Sequence, residues 1–476
     1  MKSRFNQATF LSNLKFFDSA NFSKTNFLEE FQMKNISFFS KSYFFKIKSE
    51  KAIFFNNVTF GDYVNFKYSK LTIIKLDNTK FNEEVDFAKV QFRKKTIFFD
   101  VQFSSIAEFS DGKFYGQVDF RLAQFRGKTC FNRTQFVGEV YFDLRGVNLI
   151  FDLSDLSLTE DTKVKIEALK TCRLILNDVS NSSESFLLYD TEIITLKDYE
   201  IYANRRELKL NEKILKEIKN KPNLEIVNSH LNQMKFINCD FSKAKHIKIE
   251  SSDLTEVKFL ATDLGNISEK RVCSDLFKEN PKKARDVYRQ LKLTLDNHKD
   301  YFSANGFYAL EMKAQEKVLE KMLGLSKNKE DKEEKEDRGR DNLFRDLKVL
   351  GKLILKFKKL PKEKYELLVL KIHKLASNFG QSWIKPLIWI AVFGLLFTGI
   401  RFAYMENIPY KFFPDNINRI FDAIATVLNE FTKSLIPIFS NKKEIEGLEF
   451  VSLLFSIIIA FLTYQFIVAV RRKVKR

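Results

Sequence analysis

Proline and glycine are scarce in this chain, at 7 and 15 of 476 residues. That shortage excludes collagen-like and Gly-rich linker sequences, and it removes the usual punctuation between helices and hairpins. Cysteine is rarer still: Cys130, Cys172, Cys239 and Cys273 lie far apart, with no CxxC pair. Such spacing argues against a disulfide framework, and reduced thiols in a cytoplasmic protein are expected. His230, His246, His298 and His373 each stand alone, so no metal site is expected. No paired catalytic carboxylates, Ser/His/Asp set or phosphate loop can be found, so neither enzymatic activity nor a cofactor is expected. The opening stretch MKSRFNQATFLSNLKFF has no uninterrupted apolar run and does not read as a cleaved signal peptide.

What is plentiful is phenylalanine, with 51 residues, and positive charge, with a formal net of +19. The charge points to an anionic partner, either nucleic acid or an anionic membrane face. The phenylalanines carry a rhythm. Phe81, Phe87, Phe92, Phe98, Phe103, Phe109, Phe114, Phe120, Phe125, Phe131, Phe136 and Phe142 follow one another at alternating steps of six and five. On a helix these steps would turn by about 240° and 140°, placing alternate rings on separate faces. Two residues before the rings stand small or β-branched residues: Val85, Val90, Thr96, Val101, Ala107, Gly112, Val118, Ala123, Thr129, Thr134 and Val140. In an extended segment, i and i−2 point to the same side. Each unit thus sends one large and one small side chain inward, then turns through polar residues such as FRGK or FNRT. Repetition winds the chain into a solenoid of short parallel strands.

The units CDF (239–241), SDL (252–254), VKF (257–259) and TDL (262–264), with the 81–142 run as a Phe-rich variant, resemble the pentapeptide-repeat family. The resemblance implies a right-handed, four-sided β-helix with about 22 residues per coil, rising ~4.8 Å each. It also implies that the twelve phenylalanines are scaffold, leaving any function to the outer faces and ends. Some soluble members of that family mimic DNA and protect gyrase. Mimicry needs an acidic surface, whereas residues 1–155 are more basic than acidic, so no nucleic-acid role is expected.

The expected β-helix covers 1–265, with an irregular or inserted segment at about 156–226. Within it a helix is expected around 205–219, ended by Pro222. The FF doublets Phe16–Phe17, Phe38–Phe39, Phe44–Phe45 and Phe54–Phe55 fit the scheme only with one-residue slips. A helical cap is expected at 266–325, as two antiparallel helices at about 282–297 and 301–324. Val287, Leu291 and Leu295 share one face of the first, and Phe307, Leu310 and Ala314 one face of the second. Arg285, Tyr288 and Arg289 lie together at helical spacing and are the candidate interaction surface. The ARDVYRQLK and FYALEMK stretches resemble a module between repeats and membrane helices in some bacterial pentapeptide-repeat membrane proteins.

Residues 326–382 combine a mixed-charge run, 327–341, with a candidate amphipathic helix on an anionic lipid face and a second helix at about 362–377. Residues 383–476 contain two apolar stretches long enough to span a bilayer, at about 386–405 and 450–470. Arg401, near the end of the first, is expected to snorkel to the interface. The tail RRKVKR and Lys371, Lys374 and Lys385 place both ends on the cytoplasmic side by the positive-inside rule. The loop between the spans has helical periodicity over 417–435. The leading expectation is a non-enzymatic scaffold in the bacterial inner membrane, multi-pass with cytoplasmic termini, displaying the β-helix to an unknown protein partner or to copies of itself. The alternative is an oligomeric two-helix ion channel with the rod as sensor or assembly domain, although no TVGYG-type filter follows the loop helix.

Overall fold

The computed structural model describes residues 3–144, 146–183, 185–206, 212–219, 221–325, 362–404, 424–432 and 449–474. It comprises two compact units, Met1–Phe307 and Tyr308–Arg476. Residues 4–260 of the first form a β-solenoid of about 11 turns, as the phenylalanine rhythm requires. Strands pair in parallel with strands about one coil away. Arg4 faces Asn26, then come Lys48, Lys70, Gln91, Lys113, Gln135 and Ser157.

Each coil has four sides. In one coil, side 1 is Lys70–Leu71, side 2 Ile73–Asp77, side 3 Lys80–Phe81 and side 4 Val85–Asp86. The corners explain the alternating steps. Every five-residue step crosses a tight corner with one left-handed residue: Lys89 (φ 59°), Asp100 (φ 50°), Asp111 (φ 57°), Leu122 (φ 60°) and Arg133 (φ 56°). At the corner between sides 4 and 1 the ring residue's carbonyl accepts from the third amide on, as Phe109 O does from Gly112 N at 3.1 Å. Asn and Asp tolerate this conformation best. Six-residue steps cross loose corners, between sides 1 and 2 and between sides 3 and 4, where the extra residue removes the need for a positive φ except at Gly138 (φ 143°).

The twelve rings fall into four columns: Phe81–Phe103–Phe125, Phe87–Phe109–Phe131, Phe92–Phe114–Phe136 and Phe98–Phe120–Phe142. Neighbouring centroids within a column are 4.3 to 5.3 Å apart, with the rings stacked. All twelve are buried, as are the small residues two places before them. Each buried ring contributes roughly 1.5–3 kcal/mol relative to exposure. Inward hydroxyls spend their hydrogen on a carbonyl of the adjacent coil: Thr134 Oγ1 donates to Phe109 O at 3.0 Å, and Ser229 Oγ to Leu176 O at 2.7 Å.

Two expectations need correction. The N-terminal doublets require few slips. Phe16, Phe38, Phe60 and Phe81 form one column at 4.8 to 5.0 Å, and the coil from Lys70 to Gln91 is the short one. The rhythm looked broken because Met33, Ile36, Ile47 and Val58 share the inner positions with rings. The interrupted segment is also much shorter than 156–226. Regular strands continue to Glu192–Ile193 and resume at Leu224–Val227. Leu158, Val164, Ile166, Leu174 and Leu188 fill the interior there beside a single phenylalanine, Phe186, so the coils persist with few rings. The inserted residues form helices Leu196–Arg205 and Glu212–Lys219. The first was not expected; it starts with a capping box between Thr195 and Asp198.

Arg271, 8% exposed, closes the C-terminal end of the solenoid. Its guanidinium donates to the carbonyls of Phe241, Ser242, Ala244, Leu264 and Asn266, which no further coil satisfies. Helices Ser274–Glu279 and Pro281–Asn297 follow. Thr294 Oγ1 donates to Leu254 O at 2.9 Å and so docks the second of them on the last coil. Helix Tyr301–Met322 begins in the first unit and ends in the second.

The second unit contains helices Lys362–Ser377, Ile384–Tyr404 and Glu449–Val474, with a helical stretch at 424–432. The run 327–341, the candidate amphipathic helix before Pro361 and the rest of the 417–435 periodicity lie outside the described residues. Two of the helices, over Ile384–Ala403 and Phe450–Arg472, are long and apolar enough to cross a membrane. They pack through Phe397 and Phe455, stacked at 4.8 Å, and keep Ile388, Leu395, Leu396, Leu453 and Ile457 exposed. Between the Lys362–Ser377 helix and the first long helix, Asn378, Phe379 and Gly380 are all left-handed, at φ 49°, 57° and 79°. Single contacts hold this elbow. Arg472 Nη1 donates to Phe379 O at 2.7 Å, its guanidinium lies 4.5 Å from the Tyr308 ring, and Ser377 Oγ donates to Gln465 Oε1 at 2.9 Å.

Candidate interaction surfaces

Chemistry inside the rod is not available to a ligand. The ring columns fill it, and the cysteines sit in its wall, where burial pushes the Cys239 thiol up to about 11 and those of Cys172 and Cys273 up to about 12. No group of three or more His, Cys, Asp or Glu suited to a metal occurs among the described residues. Function therefore has to be sought on the outside.

The cap surface expected at Arg285, Tyr288 and Arg289 does not form as a unit. Tyr288 is fully buried and donates from its hydroxyl to Val272 O at 2.8 Å. Its ring belongs to the cap core, near Phe277 and Phe307. Arg285 is half-buried against Asp286, and Arg289 alone of the three is exposed. Helical spacing could not distinguish a tyrosine facing inward from one on the rim.

Two other surfaces lie on the loose corners, which are diagonal across the rod. The corner between sides 1 and 2 carries Arg93, Lys94 and Lys95 in succession, all exposed. Gly116 of the next coil lies against the Lys94 backbone, where a Cβ would come within 2.7 Å. Side 1 beside it adds Lys48 and Lys70 in direct lateral register, a like-charge pair that costs stability. Its far edge holds Lys46 and Lys89 over the face of Tyr68, at 5.5 and 5.4 Å.

The corner between sides 3 and 4 has the opposite sign. Asp62, Tyr63, Glu83 and Glu84, with Phe39, Gly61, Ser105 and Ile106, line an open groove of about 420 Å³. Asp86 and Glu108 stand beside it in direct register, another like-charge pair. Burial, then Asp86 and Glu108, hold the Glu84 carboxyl above its ordinary range. Burial with Asp86 and Glu84 pushes Tyr63 up to about 12. Lys67 answers Asp86 at 3.4 Å. Phe39, 54% exposed, stacks on Phe17 at 5.1 Å at the rim. Sequence reading missed this groove because its acids come from successive coils. The signal was present, since Asp62 and Glu83 are one coil apart and align once the chain is written in coil register.

The inserted helices cover this same corner further along. Tyr199 Oη donates to Arg126 O at 2.8 Å, and Tyr199, Ala203, Ile214 and Ile218 pack on Leu149, Ile150, Cys172 and Ile175. Ile106 packs against that cluster and also lines the groove, so the groove opens where the helices stop.

In the second unit, Arg401 points to an acid rather than outward. It is 5% exposed and pairs with Glu430 of the 424–432 stretch at 3.0 Å. The close carboxylate offsets part of the cost of burying the guanidinium.

Comparisons with family models, with curated proteins and with solved structures find no match to this chain.

Proposed function

We propose that this protein is a non-enzymatic scaffold, a membrane-anchored relative of the pentapeptide-repeat proteins. In this reading the two long apolar helices cross the bacterial inner membrane, both termini are cytoplasmic, and the β-helix is displayed to a protein partner. The observation that carries it is the division of labour in the rod. Its interior is consumed by stacked rings, while its corners present a basic ridge and an acidic groove. A surface of this kind recognises by charge and shape rather than by reaction. The exposed apolar side chains of the two long helices suit contact with lipid. Cross-linking in intact membranes followed by affinity purification tests the reading. A specific protein partner, or the chain itself, should be recovered from the membrane fraction. Recovery of the chain as a soluble species with no cross-linked protein would refute it.

A second reading is favoured by one observation, the buried Arg401–Glu430 pair. Ionisable groups within apolar helical hairpins often mark ion pathways. An oligomeric channel with the rod as sensor or assembly domain predicts reproducible unitary currents from the purified protein in planar bilayers, abolished by Glu430→Gln.

A further inference from the structure

We infer that the partner of the acidic groove is the basic ridge of a second copy of this chain, so that rods associate side by side through their diagonal loose corners. The assignment rests on the scaffold reading and names its partner. Three observations lead to it.

The ridge and the groove occur at the same height. Arg93, Lys94 and Lys95 follow Glu83 and Glu84 by less than one coil, so a copy displaced along the diagonal, without sliding, brings them together. Each surface also carries like charges in direct register, which the other neutralises further, beyond the Lys67–Asp86 pair. Lys48 faces Lys70, and Asp86 faces Glu108, across single strand-to-strand steps. Arg93, Lys94 and Lys95 make no ion pair among the described residues, while a partly buried cluster of carboxylates lines the opposite corner. Finally, the groove is the uncovered remainder of a corner that the inserted helices cover elsewhere. Phe39 and Phe17 add an apolar rim that a docked rod would shield. An anionic lipid surface would meet the ridge but leave the groove and its aromatic rim without a role.

The contact is head-to-tail, since the ridge of one copy meets the groove of the next. Steric limits at the membrane would decide how many copies join.

Zero-length carbodiimide cross-linking of the full-length protein in uncharged detergent tests this directly. An amide between Lys94 or Lys95 and Glu83 or Glu84 must join two molecules, because within one rod those side chains are separated by the ring columns. We expect these cross-linked peptides, and expect their yield to fall about tenfold between roughly 0.05 and 0.5 M salt as screening shortens. Charge reversal gives an independent arm. Arg93→Glu/Lys94→Glu/Lys95→Glu and Asp62→Lys/Glu83→Lys/Glu84→Lys should each abolish the cross-links alone. Mixed, the two variants should restore association through the swapped charges. Cross-linked peptides absent from the wild type, or association that reversal of either corner leaves unchanged, overturns the inference. So does a ridge variant that loses only its binding to anionic vesicles. If cross-links fail while purification from membranes yields a different protein, the scaffold reading stands and this one falls.

Discussion

The rod and the helical end hold themselves together in opposite ways. In the rod each contact is a copy of the one a coil away: Phe87 on Phe109 on Phe131, with centroids 5.1 and then 4.8 Å apart. In the second unit the important contacts occur once: Arg472 on the Phe379 carbonyl, Ser377 on Gln465, Lys371 with Glu320 at 3.0 Å. Repetition makes the rod's energetics local and nearly additive, since each coil touches only its neighbours. Unique contacts make the helical end depend on a few side chains that no pattern announces.

The largest effect should come from breaking a column. Phe109→Ala is expected to cost about 3–5 kcal/mol, and Phe109→Leu clearly less, because the coil over 157–179 in the same rod folds on aliphatic side chains alone. Hydrogen exchange in full-length protein should show the loss confined to adjacent coils. Exchange rising equally across the whole rod would contradict nearest-neighbour behaviour.

Next comes the elbow. A Cβ on Gly380 would lie 2.3 Å from Arg472 Nη1, at a φ of +79°. Gly380→Ala should therefore expel Arg472 and destabilise the second unit by about 1–3 kcal/mol. Limited proteolysis after Lys374 or Arg472 should report the opening, with the rod unaffected.

A smaller effect belongs to the corners. Asn13, Asn35, Asn57 and Asn78 are left-handed, and their amides form a ladder: Asn35 to Asn13 at 3.0 Å, Asn57 to Asn35 at 2.8 Å. Asn57→Ala should cost about 1 kcal/mol in chemical denaturation, with Asn57→Gly recovering most of it. Equal losses would mean that the amide ladder outweighs the backbone.

The smallest is a pH effect peculiar to the helical end. Burial first, then Arg472, lowers the pKa of His373, although a hydrogen bond that its ring donates to Gln465 partly offsets them. The unfolded chain then binds more protons, so stability is complete above the ordinary imidazole pKa of about 6.5 and falls as pH drops below it. Trp389 fluorescence followed against denaturant at several pH values should show the loss, and His373→Gln should flatten it.

These differences also explain what could be read from the sequence. The 81–142 run was legible because one residue type marked every inner position. Residues 157–193 were not, since Leu, Val, Ile and even Asn181, buried and bonded to Asn232 O at 2.6 Å, take those positions without rhythm. The cap helices were visible from periodicity, yet Arg271 was not: a lone arginine in a loop gives no hint that five carbonyls converge on it. Tyr288 was misplaced for the same reason, because which face of a helix is buried depends on its neighbour. The acidic groove required the register itself.

The excursion at 194–223 bears on how such a molecule can change. Leu174 pairs with Leu224 and Ser180 with His230, 50 residues apart instead of about 22, and the ladder beyond continues undisturbed. The coil keeps count only along its flat walls; whatever is extruded at a bend leaves that count untouched. Whole elements can thus be gained or lost there without rewriting the remainder, and a lineage could acquire new recognition hardware one bend at a time while its spine stayed the same.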